Sequence, residues 1–236
     1  IYFRADASAT IGYGHFIRTL ALADMLKDDF DCTFFTCHPT SYQVSEMEKV
    51  CPFIPLQEES HYDDFLSHLQ GDEIVVLDNY FFTTDYQRAI KQKGCRLVCV
   101  DDMHDKHYVA DVVINHTLTD SGLFDVEPYT KLCLGFDWAL LRRPFIEAVN
   151  KLCSCAKRTE SITITFGGVD SFDFTGHYIR EAMQLLTVSQ ITAVVGDAYQ
   201  PQKPRVRDRR VSYCSNLTAQ QMAELFCASD WVICSA

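Results

Sequence analysis

The residues best suited to chemistry stand near the start of the chain. Arg4 to His15 reads R-A-D-A-S-A-T-I-G-Y-G-H and joins a strand-like run to a helix-like one. In open α/β sheets, ligands bind at this carboxyl edge of the strands. Gly12 and Gly14 allow a tight turn and leave room for a ligand beside the backbone amides. A dinucleotide fingerprint needs a third glycine, and Ile17 stands in its place, which argues against an NAD site. His15 falls in the first helical turn, where the positive end of the helix dipole disfavours the imidazolium and leaves a neutral ring able to accept a proton from water. A lone histidine is more often a helix cap or a satisfied core residue. The two glycines at the functional edge tip the reading toward a general base.

A second loop, Phe166-Gly167-Gly168-Val169-Asp170-Ser171, lies between a strand pattern and a helix pattern, so its amides and the helix N-terminus suit phosphate oxygens. A plain Gly-Gly turn is the bland alternative. Two such loops facing each other from two lobes would form a cleft for a small ligand. Asn79 and Tyr80 end another strand at the ligand edge, where Tyr80 either reaches a sugar or closes the rim of the core. Asp29-Phe30-Asp31 spells D-x-D but lies at the opposite edge and reads as a solvated turn. Asp101 and Asp102 follow a strand on the correct side, yet adjacent strand residues point to opposite faces and do not chelate together. No metal site is expected. The run from Arg205 to Arg210 reads as a solvated basic loop.

These residues must be held by a scaffold, and the pattern names it. Short β-branched or aromatic runs alternate with stretches of helical period, the mark of β-α-β units around a parallel sheet. Strands are expected at Ile1 to Arg4, Cys32 to Thr36, Phe53 to Leu56, Glu73 to Asp78, Arg96 to Asp101, Val112 to Asn115 and Lys131 to Leu134. Helices are expected at His15 to Lys27, Thr40 to Lys49, His61 to Leu69 and Thr84 to Lys93. Phe16, Leu20, Ala23 and Leu26 form a stripe on the sheet side of the first helix. After a helical segment at Phe145 to Val149 and a polar stretch, the alternation restarts. Strands follow at Ser161 to Phe166, Ile191 to Val195, Arg210 to Cys214 and Trp231 to Cys234, with helices at Asp173 to Leu186 and Thr218 to Ser229. A boundary near residue 155 separates the lobes.

Of 236 residues, 47% are hydrophobic and 22% charged, enough apolar material for more than one core. The net charge of -11 disfavours nucleic acid or an anionic membrane as the main partner. Residues 1–150 carry net -12 and residues 151–236 net +1, a split that fits an anionic ligand in the second lobe. The eleven cysteines include no C-x-x-C pair and sit mostly in apolar runs, as small core hydrophobes in a reducing cytoplasm. No run reaches the ~18 apolar residues of a membrane span, and no signal peptide opens the chain. A start at Ile1 and a stop directly after a strand read as a fragment of a longer chain.

Several motifs stand in collinear order: R-A-D-A-S-x-x-I-G-x-G-H-x-x-R at 4–18, L-D-N-Y at 77–80, V-D-D at 100–102, V-I-N at 113–115, G-F-D-W-A-L-L-R at 135–142 and F-G-G-V-D at 166–170. Together they resemble the UDP-2,4-diacetamido-2,4,6-trideoxy-β-L-altropyranose hydrolases of pseudaminic acid biosynthesis, relatives of the two-lobed GT-B glycosyltransferases. The first motif is specific, whereas G-G-x-D is shared by many GT-B proteins. The resemblance implies an α/β, GT-B-like fold of two Rossmann-like, doubly wound parallel-sheet lobes, the second incomplete in this chain. Residues 1–154 would carry the catalytic loop and 155–236 part of the nucleotide-binding lobe. In the family, a loop and helix beyond the strand matching Trp231 to Cys234 help hold the uridine, and this chain stops there.

The resemblance further implies that His15 activates the attacking water, that Tyr80 lies near the sugar and that Gly167 and Gly168 lie near the diphosphate. Asp6 orients the imidazole, binds a sugar substituent or caps its loop, and Arg18 touches phosphate or pairs with an acid. Gly12, Gly14, Asn79 and Asp170 complete the expected substrate contacts. The expected reaction is attack of water on the anomeric carbon of a nucleotide sugar, with inversion and release of UDP. Neither cofactor nor metal is expected, since backbone amides would stabilise the departing diphosphate. A GT-B glycosyltransferase acting on the same donor is one alternative, and a non-catalytic nucleotide-sugar binding module is another.

Overall fold

The computed structural model describes residues 1–7, 12–149, 160–167, 170–196 and 199–234. The chain divides into two compact units, Ile1–Arg142 and Arg143–Ala236. In the first unit the order is β1 (Tyr2–Ala5), α1 (Gly14–Leu26), β2 (Thr33–Cys37), α2 (Ser41–Met47), β3 (Phe53–Leu56), α3 (His61–Ser67), β4 (Ile74–Asp78), α4 (Thr84–Gln92), β5 (Arg96–Val100), β6 (His107–Tyr108), β7 (Val112–Asn115), β8 (Asp125–Val126) and β9 (Lys131–Leu134). The second contains α5 (Arg143–Val149), β10 (Ser161–Thr165), α6 (Phe174–Ala182), β11 (Gln190–Val194), β12 (Val211–Cys214), α7 (Ala219–Cys227) and β13 (Trp231–Cys234).

The division falls ahead of α5, whereas the sequence reading sets it at 154/155. Phe145 of α5 packs its ring 5.9 Å from that of Phe226 on α7, which draws this helix into the second unit. The short parallel pair β6 and β8 was also not anticipated, because two-residue strands carry no periodic signal.

All pairings are parallel. The first unit has the strand order β3-β2-β1-β4-β5-β7-β9 and the second β12-β11-β10-β13. In each, the order reverses beside the unit's first strand, which creates a switch point between β1 and β4 and another between β10 and β13. Alternation along the strands sends residues to two faces. Phe3 and Ala5 of β1, Phe34 of β2 and Val76 of β4 join Phe16, Leu20 and Ala23 of α1 in one core. Phe35, Val75 and Leu77 join Phe65 of α3 and Tyr86 and Ile90 of α4 in the other. The sheet is therefore covered on both sides, as continuous apolar strands require. A third core in the second unit packs Ile179 and Ala182 of α6 on Ile162, Ile164, Ile191 and Ala193. The described cysteines are free, and Cys32, Cys51, Cys95, Cys99 and Cys133 are buried.

Helix ends show how the scaffold is fixed. Thr40 and Gln43 form a capping box on α2, and Thr218 and Gln221 form another on α7, while Thr83 caps α4. Helix α1 differs: Tyr13 at its N-cap gives no side-chain capping bond to the helix, and the first turn holds no acidic residue. Its attachment comes from packing, with Phe16 fully buried and its ring edge-on to Phe34 at 5.5 Å. Phe16→Ala should destabilise the first unit by roughly 3–5 kcal/mol, read as a lower midpoint in urea unfolding. A change under about 1 kcal/mol would mean that α1 is held by something other than this contact.

Candidate active site

The β1–β4 switch point is where the polar side chains gather. The register pairs Ala5 with Asp78, so the loops leaving the two strands start side by side. Asp78 shares the face of Val76 and points toward α1, and His15, Arg18 and Thr19 lie three and four residues apart on the helix surface that meets it. The His15 Nδ1 lies 2.7 Å from Asp78 Oδ1. Arg18 donates from Nη2 to the same oxygen and from Nε to Oδ2, both at 2.6 Å. Thr19 Oγ1 donates to Oδ2 at 2.9 Å. The carboxylate is fully buried and His15 is only 4% exposed.

Geometry settles the tautomer. Without a proton on Nδ1, two acceptors would face each other at 2.7 Å, so Nδ1–H donates to Asp78 and the lone pair lies on Nε2. Burial pushes the Asp78 carboxyl up, but the bonds from Arg18 and His15 outweigh it and hold the group below the usual carboxylate range. Burial likewise works against the Arg18 charge. The bonds to Asp78 and Asp102 prevail and keep the guanidinium protonated. Arg18 Nη1 donates to Asp102 Oδ1 at 2.5 Å. Tyr80 is 52% exposed; its ring stands edge-on to His15 at 4.4 Å and its hydroxyl lies 3.4 Å from Asp102 Oδ2.

Asp6 does not take one of the parts expected of it. It does not touch the imidazole; Asp78 is the residue that orients it. Strand alternation sends Arg4 to the face opposite α1, where its Nη1 donates to Asp6 Oδ1 and its Nη2 to His61 Nδ1 and Cys37 Sγ. Thr36 Oγ1 and the Cys37 amide also donate to Asp6 Oδ1. Asp6 thus ties the end of β1 to the end of β2. Asp6, Cys37 and His61 present ligand atoms within 4.8 Å of one another, the type of grouping that can hold a metal. Here the Arg4 guanidinium bonds to all three, so a metal ion would have to compete with a buried cation. Asn79 is a bridge between the loops: its Oδ1 accepts from the Asp6 amide at 2.7 Å, and its buried Nδ2 has no partner among the described residues. Arg18, placed by sequence at either a phosphate or an acid, pairs with acids.

Gly12 has φ +73°, a conformation that favours glycine, and a side chain added at Gly12 or at Gly14 would meet none of the described residues within 4 Å. Among the described residues no side chain caps the start of α1, Tyr13 included. In the second unit Gly167 also has a positive φ and open space, while Gly168 lies outside the described residues. At the start of α6, Asp170 accepts from the Phe174 and Thr175 amides and Asp173 from Gly176, so these carboxylates occupy the first turn of that helix.

Comparison with known proteins follows the same lines. No protein-family model matches the chain. An uncharacterized protein of Methanocaldococcus jannaschii is 25% identical, with 98% of this chain and 50% of the relative aligned. The UDP-2,4-diacetamido-2,4,6-trideoxy-β-L-altropyranose hydrolase of Campylobacter jejuni is 27% identical over 72% of this chain and 61% of its own. The resemblance drawn from the motifs is borne out in that match, although the chain spans only half to three-fifths of these relatives. Among solved structures, MurG of Acinetobacter baumannii superposes with a TM-score of 0.56 at 12% identity, covering 99% of this chain and 72% of MurG. The chain has a GT-B fold. Anabaena HepE in complex with UDP-glucose gives 0.57 at 13% identity, covering 98% and 72%. Both likenesses establish the GT-B architecture and, at such identities, nothing finer.

Asp78→Asn keeps the shape but removes the charge that Arg18 and His15 share. It should cost roughly 3–5 kcal/mol at neutral pH. A depressed carboxyl contributes stability above its unfolded value near pH 4, and that contribution is lost as pH falls through the lower folded value. The stability gap between wild type and variant, measured by urea unfolding, should therefore narrow below about pH 4. A gap constant from pH 7 to pH 2 would contradict the ionised assignment.

Proposed function

We propose that the protein hydrolyses a UDP-linked diacetamido-trideoxy sugar, releasing UDP, as a step in pseudaminic acid biosynthesis. The observation that carries the reading is the His15–Asp78 pair at the switch point, with Nε2 as the basic nitrogen. The match to the Campylobacter jejuni hydrolase supports the substrate class, and HepE, solved with UDP-glucose, supports a nucleotide-sugar ligand. Water held by Nε2 gives up a proton to the ring as its oxygen bonds to the anomeric carbon. The bond from that carbon to the diphosphate oxygen breaks, its electron pair leaves with UDP, and the sugar configuration inverts. Asp78 keeps the imidazole in the needed tautomer and stabilises the imidazolium that forms. Among the described residues nothing crowds Gly12 and Gly14 or caps the start of α1, whose dipole would favour the negative charge of the substrate. Tyr80, exposed and edge-on to His15, would border the sugar.

Two measurements test this together. His15→Asn in the complete protein should lower kcat by about 10² to 10⁴ with little effect on UDP affinity. Turnover in ¹⁸O-labelled water should put the label on the released sugar. Label on UDP would place attack at phosphorus and end the reading, and transfer to a sugar or lipid hydroxyl with no hydrolysis would make the protein a glycosyltransferase. Binding of UDP with no turnover and no effect of His15→Asn would leave a binding module.

A further inference from the structure

Beyond the base and its orienting carboxylate, a second layer of charge stands behind the site. We infer that Arg18 and Asp102 are positioning residues that act through Asp78 to set the pH range in which His15 works as a base. The inference rests on the proposed role of His15, and it names a control that this role alone does not require.

A buried carboxylate bonded only to an imidazole favours the imidazolium, and an imidazolium cannot take a proton from water. Asp78 would do this to His15 if it stood alone. It does not: Arg18 bonds both of its oxygens, and Arg18 Nη2 also reaches within 3.2 Å of His15 Nδ1. That cation opposes protonation of the ring and divides the pull of Asp78. Asp102, bonded to Arg18 Nη1, in turn divides the pull of Arg18. The order is carboxylate, guanidinium, carboxylate, imidazole, spread over the loop after β5, α1 and β4. Among the described residues, the ionisable groups bonded to or in ring contact with His15 are Asp78 from β4, Arg18 on its own helix and Tyr80 from the loop after β4. Asp6, at the end of β1, is held by Arg4 on the opposite face.

The two outer charges carry opposite signs, so their removal must move the site in opposite directions. Asp102→Asn removes a negative charge and lets Arg18 bear more fully on Asp78 and His15. The acid limb of kcat/KM for UDP release should move down by about 0.5 to 1 pH unit. Arg18→Met leaves Asp78 uncompensated, and the limb should move up by about 1 to 2 units. The same displacements should appear when the His15 ring is titrated by NMR in ¹⁵N-histidine-labelled protein, a readout that does not need turnover. A purely structural role would lower activity at every pH without moving the limb. Should Arg18→Met fail to fold, Asp102→Asn decides alone, because that side chain is partly exposed and its replacement is isosteric. If neither the limb nor the ring titration moves, or if both variants move them the same way, the inference is overturned. Should His15→Asn stay active, the base assignment fails instead, and the ring titration still reports whether Arg18 and Asp102 govern His15.

Discussion

One buried carboxylate organises the candidate site. Asp78 has no access to water, and its two oxygens receive donors from a single helix: His15, Arg18 twice and Thr19. A charge in that position is tolerable only if it is fully paired. The pairing constrains far more than Asp78 itself. It fixes the rotation of α1 about its axis, the tautomer of His15 and the fork geometry of Arg18. Through Arg18 it also fixes the loop after β5 that carries Asp102. Packing of Phe16 on Phe34 supplies adhesion for the helix, whereas the carboxylate supplies its exact register in polar terms.

Much of the scaffold was legible because its causes are local and repetitive. The strands Phe53–Leu56, Val112–Asn115, Lys131–Leu134 and Trp231–Cys234 match their expected bounds, and the other expected elements differ by a few residues at their ends. Apolar runs between helical stripes admit few other solutions. The site was legible in part. Glycine spacing marked the loop and His15, but the partner of His15 lies 63 positions away, and no local pattern states which acid will meet it. A usable signal existed nonetheless. In L-D-N-Y, Asp78 shares parity with Val76, and the spacing of 15, 18 and 19 forms a polar stripe beside the apolar one. Read together, they assign Asp78 to α1 and leave Asp6 to the other face of the sheet. Parity likewise separates Asp101, bonded to Tyr108, from Asp102, bonded to Arg18.

The helix that follows the glycine loop of the second unit shows what a motif alone does not state. G-G-x-D suggested a phosphate cradle because a helix start is an anion site by default. That default holds only while the amides are free. Asp170 and Asp173 satisfy the first turn of α6, and Tyr199 in turn donates to Asp173. At α1 neither the N-cap side chain nor an acid in the first turn provides such service. Among the described residues the two helix starts therefore differ: carboxylates occupy the first turn of α6, and none does so at α1.

The alternation of side chains along β4 turns strand length into a chemical variable. Asp78 faces α1 only while an even offset separates it from Val76, and a single inserted or deleted residue between them would swing the carboxylate to the side of α3 and α4. Arg18 would then meet an aliphatic side chain. Evolution could lengthen the turns around this strand freely, yet any gap inside it would have to come in pairs.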